Sequence, residues 1–356
     1  MAEPVVLIFH RPARPEDARV VRLLAAARRR LVEQQSALWR RHGARDIRLI
    51  EAQAPSFGDL VRSVTPRHGG IVVMGSGALP RLAGRDVEQL VAAARSARMI
   101  ALTNNRYSSD VCAIGRAEVL AELPALPSDN ALPRWLEEKA GVTVSELAGR
   151  ERLALDLDSP LDIGLWALAR DAPGWARELA RAEELAVPRR DELRSLAADP
   201  RRELMVFGRA SSATLRWLEH NVRSRVRFLA EERGLRASSQ LAIGGPPVHG
   251  NGRPPRATLG RLLVANGAPP LADLVSELAD GAILDTRVLM ADRFGPDEGA
   301  WPSPADRFAS DLQRPNEIEE PWLRALTESA TGSPLPIVLG AHTLVGPGIP
   351  LLLGGH

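Results

Sequence analysis

The segment LALDLDSPLD at residues 153–162 carries the strongest structural signal in the sequence. Leucines alternate with aspartates, which favours a short strand with Asp156 and Asp158 pointing to the same side. Ser159-Pro160 favours the start of a helix, because proline fits the first helical turn, and Asp158 is placed to cap that helix. Two carboxylates on one side can also hold Mg²⁺ through their oxygens. The segment therefore predicts a helix cap, a metal site, or both together.

Short apolar runs alternate with amphipathic stretches upstream of this segment. The pattern predicts strands at 5–9, 47–50, 71–74, 99–102 and 111–114, with helices over 15–42, 57–64 and 86–96 between them. Such alternation predicts βαβ units, and hence a mostly parallel, three-layer α/β domain over residues 1–170. Sheets of this kind bind ligands at the carboxyl ends of their strands. The loops after residues 9, 74 and 102 are therefore the first places to look for a site.

The second half of the chain repeats the alternation less regularly. Residues 171–200 are charged, helical in pattern and broken by a proline, and are predicted to form a helical connector. Beyond them, we predict strands at 204–207, 225–230, 282–290 and 337–339, helices at 213–220, 257–266 and 271–280, and a mobile Gly/Pro-rich loop at 244–255. These elements predict a second, smaller α/β domain over residues 201–356, whose role the sequence does not indicate.

Composition excludes several classes of function. The net charge of +2 gives the chain no strong attraction to nucleic acid or to an anionic membrane, and no apolar run is long enough for a membrane span. The one cysteine, Cys112, excludes an intrachain disulfide and a multi-cysteine zinc site. Nearly every cation is arginine, with Lys139 as the one lysine. These features favour a cytoplasmic protein and leave a homo-oligomer open.

Two loops after predicted strands contain residues suited to ligand binding. Gly75-Ser76-Gly77 resembles the start of a dinucleotide fingerprint, but Pro80 stands where the third glycine should be, so a plain turn is the alternative. The segment 103–110, TNNRYSSD, offers amides, hydroxyls, an arginine and a carboxylate. It predicts either a polar pocket floor at a strand end or a solvated turn between two strands.

The order of these segments resembles the nucleotidyltransferases of the GT-A-like fold. The nearest resemblance is to the guanylyltransferases that activate phospholactate or related phospho-acids in deazaflavin cofactor synthesis, and the molybdenum-cofactor guanylyltransferases are more distantly similar. The resemblance covers about residues 4–168. It rests on five segments: VVLIFHRPARP (5–15), IVVMGSGALP (71–80), TNNRYSSDVCAI (103–114), LPSDNALPRWLEEKAG (126–141) and LALDLDSPLDIGLWAL (153–168). The last segment is the closest match.

The resemblance implies an Mg²⁺-dependent transfer of a nucleotidyl group from an NTP, such as GTP, to a small phosphorylated acid. Carried over, it implies that Asp156, Asp158 and Arg14 act in catalysis and that the two aspartates hold the metal. It further implies nucleotide contacts by Arg11, Arg19, Gly75, Ser76, Asn104, Asn105 and Ser108, and acceptor contacts by Ser128, Asp129 and Asn130.

The chain departs from that family at two points. Gly75-Ser76-Gly77 stands where the family has an aspartate close behind the central strand, and the opening loop contains no lysine. Arginine binds phosphate with a different geometry from lysine. A catalytically degenerate nucleotide-binding or regulatory protein on the same fold is therefore the alternative to an active enzyme.

Overall fold

The chain divides into two compact units. The computed structural model describes residues 3–126, 129–147, 149, 151–231, 256–265 and 270–354. One unit comprises residues Met1–Pro15 and Ala25–Leu157, and the other comprises Glu16–Leu24 and Asp158–His356. The second unit thus comprises more residues than the first, contrary to the expectation of a smaller second domain. It also includes the helices that were predicted to form a connector.

The first unit is built on a six-stranded mixed sheet. Its strands are β1 (Val5–Phe9), β2 (Asp46–Ile50), β3 (Ile71–Gly75), β4 (Ile100–Thr103), β5 (Val111–Ile114) and β6 (Thr143–Glu146), in the order β2-β1-β3-β5-β4-β6. Strand β5 runs antiparallel to β3 and β4, whereas the other pairings are parallel. The helices are α1 (Arg19–Arg41), α2 (Phe57–Val64), α3 (Gly84–Arg95) and α4 (Leu132–Glu138).

The core of this unit follows from its apolar patterns. Strands β1 and β3 are continuous apolar runs with four of five residues buried in each, as expected for strands covered on both faces. Helix α1 turns Leu31, Gln35 and Trp39 inward at a spacing of four residues and leaves arginines such as Arg29 outside. The sheet core includes Trp39 together with Leu90 of α3.

The second unit is built on a four-stranded parallel sheet. Its strands are β7 (Glu203–Gly208), β8 (Arg225–Ala230), β9 (Gly281–Asp285) and β10 (Ile337–Gly340), in the order β10-β9-β7-β8. The helices are α5 (Pro160–Ala167), α6 (Gly174–Ala182), α7 (Arg190–Ala198), α8 (Ser212–Asn221), α9 (Thr258–Ala265), α10 (Leu271–Leu278), α11 (Thr286–Phe294), α12 (Pro304–Asp311), α13 (Pro321–Gly332), α14 (His342–Val345) and α15 (Ile349–Leu353).

Both sheets contain a point at which the strand order reverses. In the first unit β1 pairs with β2 on one side and with β3 on the other. In the second unit β7 pairs with β8 on one side and with β9 on the other. In open α/β sheets, ligands bind in the crevice outside the carboxyl ends of the strands at such a reversal. The loops after β1 and β3, and those after β7 and β9, are therefore the preferred places for a site in each unit.

Two predicted strands are wrong. The strand predicted at 282–290 ends at Asp285, whose carboxylate accepts a hydrogen bond from the backbone N–H of Arg287 and caps α11. Residues 286–291 are all buried, and a buried helix and a buried strand have the same apolar pattern over so short a run. Around LDLD no strand forms, since Asp156 makes one isolated bridge with Ala78. The loop predicted at 244–255 lies outside the described residues.

Candidate functional site

A buried side-chain pair joins the strand ends at the reversal point of the first sheet. His10 follows β1 and Ser76 follows β3, and the ring Nδ1 of His10 lies 2.9 Å from Oγ of Ser76. The backbone N–H of Ser76 donates to the carbonyl of Phe9 at 2.9 Å. Both side chains are almost fully buried. The turn at 75–77 is therefore held against the end of β1 by a side-chain contact and a main-chain hydrogen bond.

The surroundings of His10 favour its neutral ring. Burial lowers its pKa most, and the charges of Arg28 and Arg29 lower it further, whereas Glu51 opposes them. A neutral imidazole carries one N–H and one acceptor nitrogen, so the contact with the Ser76 hydroxyl can form in either direction. The pair therefore adds no net charge at these strand ends.

Asp156 is fastened to the same turn. The backbone N–H of Leu157 donates to the carbonyl of Gly77 at 3.0 Å, and Arg28 Nε donates to the carbonyl of Leu157 at 2.7 Å. A Cβ added to Gly77 would lie 2.9 Å from Arg28 Nε and 3.0 Å from Asp156 Oδ1. Only glycine therefore allows this segment to approach the turn so closely.

Two further aspartates reach the end of β3 from other loops. The carbonyl of Asp110 accepts a hydrogen bond from the N–H of Gly75 at 3.4 Å. Asp129 Oδ2 lies 4.0 Å from the position that a Cβ on Gly75 would take. The turn at 75–77 has no aspartate of its own, but Asp129 and Asp156 bring carboxylates to its two ends.

Gln35 supports the chain after the turn and was not identified from the sequence. Its side chain is buried, and Nε2 donates to the carbonyls of Ala78 at 2.8 Å and Leu79 at 3.0 Å. Leu79 has a φ of 51°, a conformation that non-glycine residues seldom adopt. The signal in the sequence was a lone amide on the apolar face of α1, which indicates a polar group to be satisfied inside the core.

The amides of Asn104 and Asn105 bind mainly within their own loop, and Asn104 Nδ2 also donates to the carbonyl of Leu153 at 3.1 Å. Asn104 Oδ1 accepts from the N–H groups of Asp110 and Val111, and its Nδ2 donates to Asp110 Oδ2 at 2.6 Å. Asn105 Oδ1 accepts from the N–H groups of Tyr107 and Ser108, which is an Asx turn. These contacts support the turn interpretation of segment 103–110 for the two amides.

The structure also brings together Ser108 and Asn130, which were predicted to bind different ligands. Ser108 Oγ donates to Asn130 Oδ1 at 2.9 Å, and both side chains are accessible to solvent. Ser128, which was predicted to act with Asn130, lies outside the described residues. The loop after β4 and the segment before α4 therefore meet at this pair.

The predicted phosphate-binding arginines differ in their surroundings. Arg11 and Arg14 are exposed in the loop that follows β1. Arg19, the first residue of α1, belongs to the second compact unit. There it forms an ion pair with Glu183 at 2.6 Å. Arg19 thus has a carboxylate partner within the second unit, although its side chain is 79% exposed.

Asp158 belongs to the second unit, whereas Asp156 belongs to the first. Its side chain is 47% exposed, and Oδ2 lies 3.7 Å from Nδ1 of His342. The residue that caps α5 is Asp162, whose Oδ2 accepts from the N–H groups of Asp158 and Ser159 at 2.9 and 2.6 Å. The prediction that Asp158 caps the helix is therefore wrong. Burial, followed by the charge of Asp158, raises the pKa of Asp162 well above its usual range.

A second set of charged residues, which was missed as a group in the sequence, lies at the reversal point of the second sheet. Arg209 follows β7 and forms a bidentate ion pair with Asp285 at the end of β9, with distances of 2.6 and 3.1 Å. Burial raises the pKa of Asp285, but the charges of Arg209 and Arg287 outweigh that effect and the net shift is downward. In the sequence Asp285 stands beside Arg287, which is ordinary on a surface, and Arg209 stands alone after an apolar run, so only strand order makes Arg209 and Asp285 neighbours.

Comparison with known proteins gives no match: no protein-family model, no curated protein and no solved structure is significantly similar to the chain. Among the described residues, no group of three or more His, Cys, Asp and Glu side chains is arranged to hold a metal ion. Within the same part of the chain, every helix is too short or too polar to cross a membrane.

Proposed function

We propose that the first unit binds a nucleoside triphosphate at the carboxyl ends of β1 and β3 and that the protein is nucleotidyltransferase-like. The observation that carries the proposal is the His10–Ser76 contact, which fixes the turn 75–77 at the reversal point of the sheet while Asp156 is fastened to that turn. A site at such a reversal fits a nucleotide on general grounds. The resemblance of residues 4–168 to guanylyltransferases names the class of ligand.

Two exposed arginines would bind the triphosphate directly, and a carboxylate would hold the Mg²⁺ that accompanies it. Arg11 and Arg14 are exposed in the loop after β1, and guanidinium groups bind phosphate oxygens in a bidentate manner. Mg²⁺ in such sites is often held by one or two carboxylates together with the phosphates themselves. Asp156, at Gly77, is the carboxylate that we assign to this role, and Asp129, at Gly75, is the second candidate. The metal would supply neutralisation of the phosphate charge.

In the transfer reaction, a phosphate oxygen of a small phosphorylated acid would attack the α-phosphorus of the NTP. A new P–O bond would form between acceptor and nucleotide, the bond from the α-phosphorus to the bridging oxygen would break, and pyrophosphate would leave with that electron pair. The protein's contribution would be to orient the two phosphates and to spread the developing charge over Arg11 and Arg14. Ser108 and Asn130 are the candidates for contact with the acceptor or the base.

Binding without transfer is the second candidate function. It is favoured by the absence of an aspartate in Gly75-Ser76-Gly77 and by the commitment of Asn104 and Asn105 to their own loop. In that case the same site would hold a nucleotide as a regulatory ligand. The two candidates share the binding step and differ in the release of pyrophosphate.

The deciding experiment is thermal unfolding of the full chain with GTP, ATP, CTP or UTP, each with and without Mg²⁺. We expect one NTP to raise the Tm only with Mg²⁺, and we expect Asp156→Asn to abolish that rise, because a neutral amide is a poor ligand for the ion. Glu33→Gln, which removes an exposed carboxylate from α1, is the matched control and should keep the rise.

The absence of any NTP-dependent shift in the wild-type chain would overturn the proposal. Pyrophosphate release in the presence of a phosphorylated acid then separates the two candidates. Release would establish transfer, and a shift in Tm without release would establish the regulatory alternative.

A further inference from the structure

Three arginines lie among the residues at the carboxyl edge of the second sheet, and two of them form ion pairs with buried aspartates. Arg209 is neutralised by Asp285, and the approach of the two strands is so close that a Cβ on Gly208 would lie 2.2 Å from the Cβ of Asp285. Arg287 is neutralised by Asp311, with Nη1–Oδ1 at 2.5 Å and Nη2–Oδ2 at 2.7 Å. Two of the buried cations therefore have full carboxylate partners.

Arg307 of α12 lacks such a partner. Its Nε is buried and makes no hydrogen bond within the described residues. Its Nη1 lies 3.7 Å from Glu298, a long contact to a largely exposed carboxylate, and its guanidinium carbon lies 5.9 Å from the ring centre of Trp301. The side chain is only 18% exposed. A buried N–H donor without an acceptor costs free energy, so a bound acceptor at this position would be favoured.

Asp162 of α5 also has a buried polar atom without a hydrogen-bond partner. The side chain is 1% exposed, and Oδ2 is fully used by the two backbone N–H groups at the start of α5. Its other oxygen, Oδ1, is buried and has no hydrogen-bond partner among the described residues. A buried carboxyl oxygen in this position calls for a hydrogen-bond partner, and a hydroxyl group can either donate to it or accept from it.

Arg307 and Asp162 lie in one neighbourhood. Helix α12, which carries Arg307, packs against α5, which carries Asp162. Both side chains interact electrostatically with Asp158, Asp311 and Arg287. Helix α14, which begins at His342, packs against both β9 and α5. The unsatisfied donor and the unsatisfied oxygen are thus placed beside the strand ends at the reversal point of the sheet.

We propose that this edge of the second unit is a binding site for a small phosphate ester that carries a hydroxyl group. We call it the second-sheet site and define it by Asp162, Arg209, Asp285, Arg307 and His342. A phosphate oxygen accepts from Nε of Arg307, and the hydroxyl forms a hydrogen bond with Oδ1 of Asp162. The ion pair of Arg209 uses Nε and Nη2, so Nη1 lies outside that pair, and the side chain of His342 is 27% exposed. Both residues supply further donors for a group with several oxygens. The site lies wholly within the second unit and does not depend on the proposed nucleotide site.

The test is isothermal titration of the full chain with glycerol 3-phosphate, with glycerol and inorganic phosphate as the two partial ligands. We expect glycerol 3-phosphate to bind more tightly than either partial ligand, because only it offers both groups. Arg307→Gln should weaken binding by about tenfold or more, the usual cost of removing a charged hydrogen-bond partner. Arg293→Gln, an exposed arginine at the far end of α11, should leave the affinity unchanged.

A change of ligand tests the hydroxyl contact without any risk of misfolding. Propyl phosphate keeps the phosphate of glycerol 3-phosphate but lacks its hydroxyl groups, so it has no group left to pair with Asp162. We expect it to bind the wild-type chain no more tightly than inorganic phosphate does. Absence of binding to the wild-type chain, equal affinity of glycerol, or equal affinity of the Arg307 and Arg293 variants would overturn the proposal. NTP-dependent stabilisation should persist in Arg307→Gln, so failure of one proposal leaves the other intact.

Discussion

Nδ1 of His10 lies 2.9 Å from Oγ of Ser76, and this contact closes the gap between the ends of two parallel strands at the reversal point of the first sheet. The second unit has a contact at the corresponding topological position, between Arg209 and Asp285. The first is neutral and the second is an ion pair. In both units, a residue just after the central strand contacts a residue at the end of a neighbouring strand. This contact therefore fixes the geometry of the strand ends.

The first prediction concerns pH. Burial lowers the pKa of His10 in the folded chain, so the unfolded chain binds the proton more readily below the ordinary value of 6.5. The contribution of His10 to stability is therefore present above that pH and is lost as the pH falls through it. We expect the free energy of unfolding in urea to decrease between about pH 7.5 and about pH 5. The decrease should be smaller in His10→Asn and unchanged in His220→Asn, an exposed control. Equal pH dependence in all three proteins would contradict the assignment.

The second prediction concerns Gly208. Its φ is +125°, and an added Cβ would lie 2.2 Å from the Cβ of Asp285, so alanine is both strained and overpacked. We expect Gly208→Ala to lower the free energy of unfolding by about 2 kcal/mol or more. Gly174→Ala is the control, because nothing lies within 4 Å of its added Cβ. Urea denaturation should separate the two variants, and equal stability would show that β7 and β9 can move apart.

The third prediction concerns the ion pair between Arg287 and Asp311, whose side chains are 7% and 0% exposed. Asp311→Ala leaves a buried guanidinium without its partner and should cost about 3–5 kcal/mol. Replacing both residues, in Arg287→Met with Asp311→Leu, should cost less than the single change, because neither charge of this pair is then left buried without the other. A double variant less stable than Asp311→Ala would show that the pair itself is strongly stabilising.

The fourth prediction concerns Cys112. Burial raises the pKa of its thiol to about 12, and only the thiolate reacts readily. We expect a thiol-specific reagent to leave the native protein unmodified at neutral pH and to modify one cysteine per chain after unfolding in urea. Rapid modification of the native protein would show that β5 opens locally on the time scale of the reaction.

Local patterns predicted many elements with their bounds. Strands β1, β5 and β8 and helix α2 begin and end where the sequence predicts. Helix α2 is bounded clearly because Ser56 caps it and Thr65 leaves helical geometry. The prediction at 282–290 failed because only Asp285-Thr286-Arg287 separates the apolar runs of β9 and α11, and nothing in the sequence distinguishes the capping Asp285 from any other aspartate.

Candidate site residues could be predicted from the sequence only where they directly follow a predicted strand or lie in a recognisable pattern. Gly75 and Ser76 could be placed from the apolar run before them, and Asp156 from the LDLD pattern. Their neighbours could not, since Gln35 and Asp129 reach the same turn from distant segments. Asn104 and Asn105 have the composition of a binding loop, yet their amides are used to build it, because the same groups satisfy backbone N–H donors.

The sequence by itself determined the α/β class, two regions of alternating strands and helices, and the carboxyl ends at which to look for a site. It did so because apolar periodicity and helix caps are local properties of the chain. Only the tertiary structure decided which strand ends are neighbours, and thereby joined His10 to Ser76 and Arg209 to Asp285. It also assigned the two aspartates of LDLD to different units, with Asp156 at Gly77 and Asp158 facing His342. Strand order depends on long-range packing, which no short segment of sequence encodes.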